Sequence, residues 1–131
     1  MEDKFKLEII SPEKSIFSGD VEMVTFPSYE GDMSIQKNHI SIIAFLRPGL
    51  IKVKKKEGII EDFFIQEGTL EFFNNNLSVL SSSIQNIKDL SKDFVDQLSE
   101  ETKNKLSEKN ITDNERYILN HKLDALKEIR V

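Results

Sequence analysis

The chain has no cysteine and only two histidines, His39 and His121. The first absence removes disulfides, zinc-thiolate sites and thiol catalysis together, and is compatible with a reducing cytosol. The second leaves a histidine-rich metal site without ligands, because the two stand far apart on elements of different type; an oxygen-only carboxylate site stays open. The five glycines are scattered singly at turns, and neither G-x-x-x-x-G-K-[ST] nor G-x-G-x-x-G occurs, so no phosphate cradle is expected. A Gly-x-Ser-x-Gly elbow is also missing, and pairs such as Glu30 with Asp32 or Glu100 with Glu101 read as solvated charges rather than an acid and a base. Long apolar runs are lacking too. The longest, Ile40 to Leu46, contains Ser41 and falls far short of the roughly 20 residues a spanning helix needs. MEDKFKLEII mixes charges at the start and has no apolar h-region, which predicts no signal peptide. The net charge of −5 argues against a polyanion partner, so no nucleic acid is expected. The basic run Lys54-Lys55-Lys56 precedes Glu57-Gly58 and reads as a solvated hairpin tip, or else as a phosphate or lipid-headgroup contact.

What is present divides into two halves with different periods. The 131 residues, 38% hydrophobic and 31% charged, suit one soluble globular domain or a compact module with an appendage. From Phe5 to Leu80 strand-sized pieces alternate with turn residues. Phe5, Leu7 and Ile9 alternate, Ser11-Pro12-Glu13 and Ser18-Gly19-Asp20 break the pattern, and Val21 to Phe26 resumes it. Leu50 to Val53, Ile59 to Ile65, Leu70 to Phe72 and Leu77 to Val79 follow, which predicts an antiparallel sandwich or barrel over residues 1–84.

Over residues 85–131 the period becomes helical. Leu90, Phe94, Leu98, Thr102 and Leu106 recur every fourth residue with Val95 beside them. Thr112-Asp113-Asn114-Glu115 is a Thr-x-x-Glu capping box, after which Leu119, Leu123, Leu126 and Ile129 continue a stripe. The short Lys109-Asn110-Ile111 link makes the helices antiparallel. Phe94, Leu98, Leu119, Leu123 and Leu126 are therefore expected to pack the hairpin. The predicted class is α+β: an N-terminal antiparallel β-sandwich of about ten strands, then an antiparallel two-helix hairpin. A pair with so narrow a stripe is marginal alone and should be mobile or docked on a larger surface. His121 falls on the polar flank of the second helix and reads as solvated.

His39 has two readings. Its ring can bridge backbone groups where Ile40-Ser41-Ile42-Ile43 begins, fixing a turn, or it can belong to a partner surface.

The stretch from Pro27 to Val53 carries a resemblance. Glu30-Gly31-Asp32-Met33, then Ile35, His39, the apolar run and Pro48-Gly49 before a strand are similar to the epsilon subunit family of bacterial F-type ATP synthase, called delta in mitochondria. Ser11-Pro12-Glu13-Lys14-Ser15-Ile16-Phe17-Ser18-Gly19 and Gly68-Thr69-Leu70-Glu71 extend it across the N-terminal half. The resemblance implies a flattened sandwich of about ten strands with a helical hairpin, and a non-catalytic rotor subunit without cofactor. It implies that His39, Ile40, Ile42 and Ile43 hold or abut a surface for the gamma subunit. It further implies that Glu30, Gly31, Asp32 and Met33 form a loop facing the c-ring, and that the hairpin contacts the alpha and beta catalytic subunits. The place implied is the cytoplasmic face of a bacterial inner membrane, peripheral and without membrane insertion; the Met1 start favours a bacterial over a processed organellar source.

Three departures qualify this. Ser34 and Asn38 stand where the family commonly has glycine, and Lys37 where it has proline; Asn tolerates positive φ, so the turn can survive. Lys88 to Phe94 lacks the Arg and Ala of the segment through which some bacterial members bind ATP, so ATP binding is not carried over. In residues 110–131 Arg116, Lys122, Lys127 and Arg130 balance Asp113, Glu115, Asp124 and Glu128, which predicts weak electrostatic docking of the second helix on acidic partners. A free-standing adaptor is the competing function; the spacing from Glu30 to Gly49 favours the rotor subunit.

Overall fold

The computed structural model describes residues 3–129; Met1 and Arg130, on which two expectations rest, lie outside them. The strands are β1 (Phe5–Ile10), β2 (Ser15–Val21), β3 (Met23–Ser28), β4 (Gly31–Ile35), β5 (Ile42–Leu46), β6 (Gly49–Lys54), β7 (Ile60–Ile65), β8 (Gly68–Phe73), β9 (Asn76–Leu80) and β10 (Gln85–Asn86). Helices α1 (Lys92–Leu106) and α2 (Asp113–Glu128) follow. Strand order is β10-β7-β6-β3-β5-β8-β9-β1-β2, with β4 also on β3. The path narrows at its centre, where β3 meets β5 through Ser28 and Leu46 alone. There the sheet folds over on itself into two layers: β4, β3, β6, β7 and β10 form one, β5, β8, β9, β1 and β2 the other. Alternation along each strand turns Leu7, Phe26, Ile51, Phe63, Phe72 and Val79 into a common core.

Two details depart from the sequence reading. β1 runs parallel to β9, unlike the other pairings; period-two alternation encodes which face is buried, not strand direction. Ser18-Gly19-Asp20 does not break the chain, because β2 runs through it as an outer strand and Gly19 pairs with Leu7. The turns that do form obey side-chain rules. Asn74 and Asn75 both take positive φ, 51° and 59°, between β8 and β9, and Asn38, standing where the family commonly has glycine, takes 67°, as the tolerance of asparagine for positive φ allows.

Two glycines are required by close approach. A Cβ on Gly49 would lie 2.7 Å from Pro27 Cβ, which accounts for Arg-Pro-Gly at the start of β6. On Gly68 it would lie 2.7 Å from the Leu80 carbonyl oxygen and 3.0 Å from Ile65 Cδ1. Because a backbone oxygen cannot swing aside, Gly68→Ala is expected to cost about 1–3 kcal/mol in thermal denaturation; an unchanged melting temperature would show that β8 and β9 can part there. Next to it Glu67 pins the Ser81–Ser83 link. Its Oε1 accepts from the Ser82 amide at 3.1 Å and the Ser82 hydroxyl at 2.8 Å, and these bonds hold the carboxyl below its ordinary range against a smaller effect of burial.

The hairpin begins later than periodicity suggests. Ser91 caps α1, accepting from the Phe94 amide at 3.0 Å, so Leu90 precedes the helix although it is buried beside it. Phe94 is corrected: it is 36% exposed, and Val95 is buried in its stead. A strict four-residue repeat advances about 40° per step around a helix with 3.6 residues per turn, so it winds off the contact face; Val95, Leu98, Thr102 and Leu106 keep to it. Buried Thr102 is satisfied by donating to the Leu98 carbonyl at 2.7 Å. Leu126 is fully buried and Leu98 partly so, while Leu119 and Leu123 are half-buried. The capping box forms, Thr112 Oγ1 accepting from the Glu115 amide and Glu115 Oε1 from the Thr112 amide, both at 3.1 Å.

The hairpin lies on the outer face of the first layer. Leu50 and Phe64, opposite each other on β6 and β7, meet Leu90, Val95, Ala125, Leu126 and Ile129. This explains Phe63-Phe64-Ile65, an unbroken apolar run: Phe63 and Ile65 point into the sandwich and Phe64 into the hairpin, so β7 is covered on both faces.

Candidate partner-binding surface

The outer face of the second layer has no such cover. On β5, Ile43 is 70% and Phe45 66% exposed, and Ile40, just before the strand, is 79% exposed. Register carries the patch inward: Phe45 pairs with Thr69, Thr69 with Leu80 and Leu80 with Ile10, so these four form a row across β5, β8, β9 and β1. Phe73 and Leu80 are also exposed on this face. In the next row Ile43 stands opposite Glu71, with Ser78 and Glu8 beyond it, so the exposed apolar side chains share one face but are parted by a polar row; such a concentration marks a partner site. Ile42 is corrected. It alternates inward and is half-buried against the core, so it reaches the surface only as part of the groove wall described below.

His39 is a half-buried positioning residue at the margin of the patch. Its Nδ1 lies 2.7 Å from the Ile40 carbonyl, a geometry in which this nitrogen carries the proton and donates. Its ring meets the edge of Phe72 with centroids 6.0 Å apart. Asn38, beside it, makes a reciprocal clasp with Asn75: the Asn38 amide donates to Asn75 Oδ1 at 2.7 Å, and Asn75 Nδ2 to Asn38 Oδ1 at 3.1 Å. The Asn-rich β8–β9 turn thus fixes the loop that leads into the patch, a role that spacing in the sequence does not disclose.

Of the expected loop Glu30, Gly31, Asp32 and Met33, only Glu30 lies in the β3–β4 turn, with Tyr29; the other three are corrected, since they open β4 and pair with Ser28, Pro27 and Phe26. Buried Ser28 shapes the turn, donating to the Gly31 carbonyl at 2.6 Å and accepting from the Glu30 amide at 3.2 Å, and Gly31 takes φ 120°. Glu30 is exposed, Met33 packs on the core, and Asp32 pairs with Arg47 at 3.1 Å. A groove of about 360 Å³ lined by Tyr29, Glu30, Met33, Ile42, Ile43 and Phe45 joins this turn to the apolar patch. The Lys54–Lys56 run lies at the other end of the layer, since Lys54 pairs with Met23 at the start of β3 and the turn follows Ser28 at its end. Lys55 turns back, 3.5 Å from Glu61 and over the Phe17 ring.

Among the described residues no group of three or more His, Asp or Glu could hold a metal ion, and no helix is long and apolar enough to cross a membrane. The fold and this surface define a binding module: a sandwich with one outer face covered by its own hairpin and the other apolar and bare. A family profile described as "ATP synthase, Delta/Epsilon chain, beta-sandwich domain" matches residues 4–87. The chain is 47% identical to the ATP synthase epsilon chain of Pelagibacter ubique, over 97% of this chain and 98% of that one. It is 34% identical to that of Parvibaculum lavamentivorans, over 99% and 98%. The chain belongs to the ATP synthase delta/epsilon family. Its fold recurs in the mitochondrial ATP synthase of Euglena gracilis, in an assembly of OSCP, F1 and c-ring, with TM-score 0.75 at 16% identity over 97% of this chain and 79% of that one. A central stalk and c-ring structure from Tetrahymena thermophila matches with TM-score 0.61 at 14% identity, over 97% and 96%.

Proposed function

We propose that the chain is a non-catalytic rotor subunit of the F-type ATP synthase central stalk. Its bare β5–β8–β9–β1 face binds the gamma shaft, its Glu30–Met33 segment faces the c-ring, and together they transmit rotation that couples ion flow to ATP synthesis. The observation that carries this reading is the asymmetry of the two outer faces. A folded domain that covers one apolar face with its own helices and leaves Ile40, Ile43, Phe45 and Leu80 in water has a partner for the second. The groove from Tyr29 to Phe45 makes turn and face one continuous surface, as a clamp between shaft and ring requires. The complex would sit at the cytoplasmic face of a bacterial inner membrane. The absence of a net positive charge over residues 110–131 supports only weak regulation of ATP hydrolysis through contact with the alpha and beta subunits.

Co-purification tests the proposal. A tagged copy expressed in its native cells should bring down the catalytic ATPase subunits with the shaft. A free-standing adaptor would return other proteins, and that result would remove the rotor reading.

A further inference from the structure

The two outer faces differ in charge as well as in cover. On the face under the hairpin, polar groups find partners within the chain: Asp32 pairs with Arg47 at 3.1 Å, and Tyr117 Oη donates to the Tyr29 carbonyl at 3.1 Å. His121, expected to be solvated, is half-buried there with its ring edge-on to Tyr117.

The bare face holds two carboxylates without such partners. Register sets Glu71 on β8 and Glu8 on β1 in one row on either side of Ser78, and with strands about 4.8 Å apart the two stand about 10 Å from each other. Among the described residues neither carboxylate has a hydrogen-bond or ion-pair partner. The row of Phe45, Thr69, Leu80 and Ile10 flanks them on one side, and that of Phe73, Asn76 and Lys6 on the other. Lys6, the one cation in these three rows, stands opposite Asp20.

In water both carboxylates are hydrated and help keep an apolar face soluble. Cover changes that. A partner seated on Ile43, Phe45, Phe73 and Leu80 dehydrates whatever lies among them, and a carboxylate buried with nothing opposite it opposes binding strongly. Glu71 has no way out to the rim, because Ile43 lies beside it and Thr69 and Phe73 stand before and after it on β8. Glu8 is one strand from the edge.

We infer that the segment of the partner covering this face carries basic side chains between its apolar ones, seated on Glu71 and Glu8 across Ser78. With the gamma shaft as that partner, the reading on which this rests, the shaft supplies a strip with a cation at its middle and apolar residues on both sides. Arginine fits best. Its planar guanidinium gives a carboxylate two parallel donors and sheds water more readily than an ammonium, and placed over Ser78 it has a carboxylate about 5 Å to either side. The match fixes register too. A partner displaced by one row along the strands would set its cation on Thr69 and Leu80, or on Phe73, and leave both carboxylates dry and unpaired. An apolar face alone permits that slip, whereas a subunit that turns with its shaft has to resist it.

Titration of the full chain against purified gamma subunit tests this through the sign of the change. Glu71→Met keeps nearly the volume of glutamate and removes the charge. With a cation opposite, the substitution strands that cation and weakens binding by about thirtyfold or more; with the carboxylate buried alone, it relieves a cost and binding tightens. Glu71→Asp, which keeps the charge, should recover most of the loss. Glu8→Met, nearer the edge, should weaken binding by at most about fivefold. Circular dichroism should show every variant folded, since Glu71 is exposed and Glu8 only half-buried. Unchanged or tighter binding by Glu71→Met overturns the basic strip and leaves shaft binding in place; no binding by the unsubstituted chain overturns the shaft reading and the strip with it.

Discussion

Replacing Ile43 and Phe45 together by aspartate is expected to abolish assembly with the shaft while the chain stays folded. Both side chains already stand in water, at 70% and 66% exposure, so the free protein loses almost no burial. The bound state suffers differently. Two carboxylates without partners would be dehydrated at the centre of an apolar contact, at a cost of several kcal/mol, which lowers affinity by more than about a hundredfold. Ile42→Asp provides the contrast. Because Ile42 packs on the core, the charge would be forced into the sandwich and unfold it. Ile59 and Ile60, exposed at the far end of the molecule, should tolerate aspartate with no change in shaft affinity. Titration of a purified shaft subunit against the three variants, with circular dichroism to check folding, separates the cases; normal binding by the Ile43 and Phe45 double variant would place the interface elsewhere.

The second large effect concerns Phe64. It is the fully buried residue that the sandwich contributes to the hairpin cluster, at 0% exposure, and Leu126 and Ile129 have no comparable aromatic to pack on without it. Phe64→Ala should cost about 3–5 kcal/mol, the usual range for a buried aromatic. The loss falls between two parts that can separate, so it should appear as release of the hairpin before the sandwich unfolds. Hydrogen exchange should then accelerate in α1 and α2 and remain slow in β1, β8 and β9. A uniform acceleration would instead mean that sandwich and hairpin unfold as one unit. If neither part changed, the cluster would contribute far less than its burial implies.

These effects also mark how far the sequence could be read. Period-two alternation located β1, β3, β6, β7, β8 and β9 but not β2, β4, β5 or β10, and the Thr112 and Glu115 signature located the start of α2, because both signals are local. Ile84 closes the sandwich core as the 1–84 boundary expects, but Gln85 and Asn86, assigned to the helical half, pair with β7. Two residues are too few to carry a period. Phe94 was misplaced for another reason: counting by fours follows a line that drifts around the helix. In the candidate site, the resemblance led to the loop and the apolar run, but a resemblance does not tell Ile42 from Ile43. Only the strand phase does that, and it points one into the core and the other into solvent. The contacts that bring distant segments together were invisible. Asn38 with Asn75, Tyr29 with Tyr117 and Phe64 with Leu126 are each made by the fold, and none leaves a pattern within any one segment.

The central claim is that the bare face of β5 meets the shaft. Ile43→Cys carrying a short photoactivatable cross-linker tests it inside the assembled complex, since the chain supplies no competing thiol. Illumination of native membranes, followed by mass spectrometry of the adduct, should join position 43 to the gamma subunit, whereas the same reagent on Ile59→Cys should leave gamma unmodified. Failure of position 43 to reach gamma in a complex that retains the chain, or equal labelling from position 59, would contradict the account.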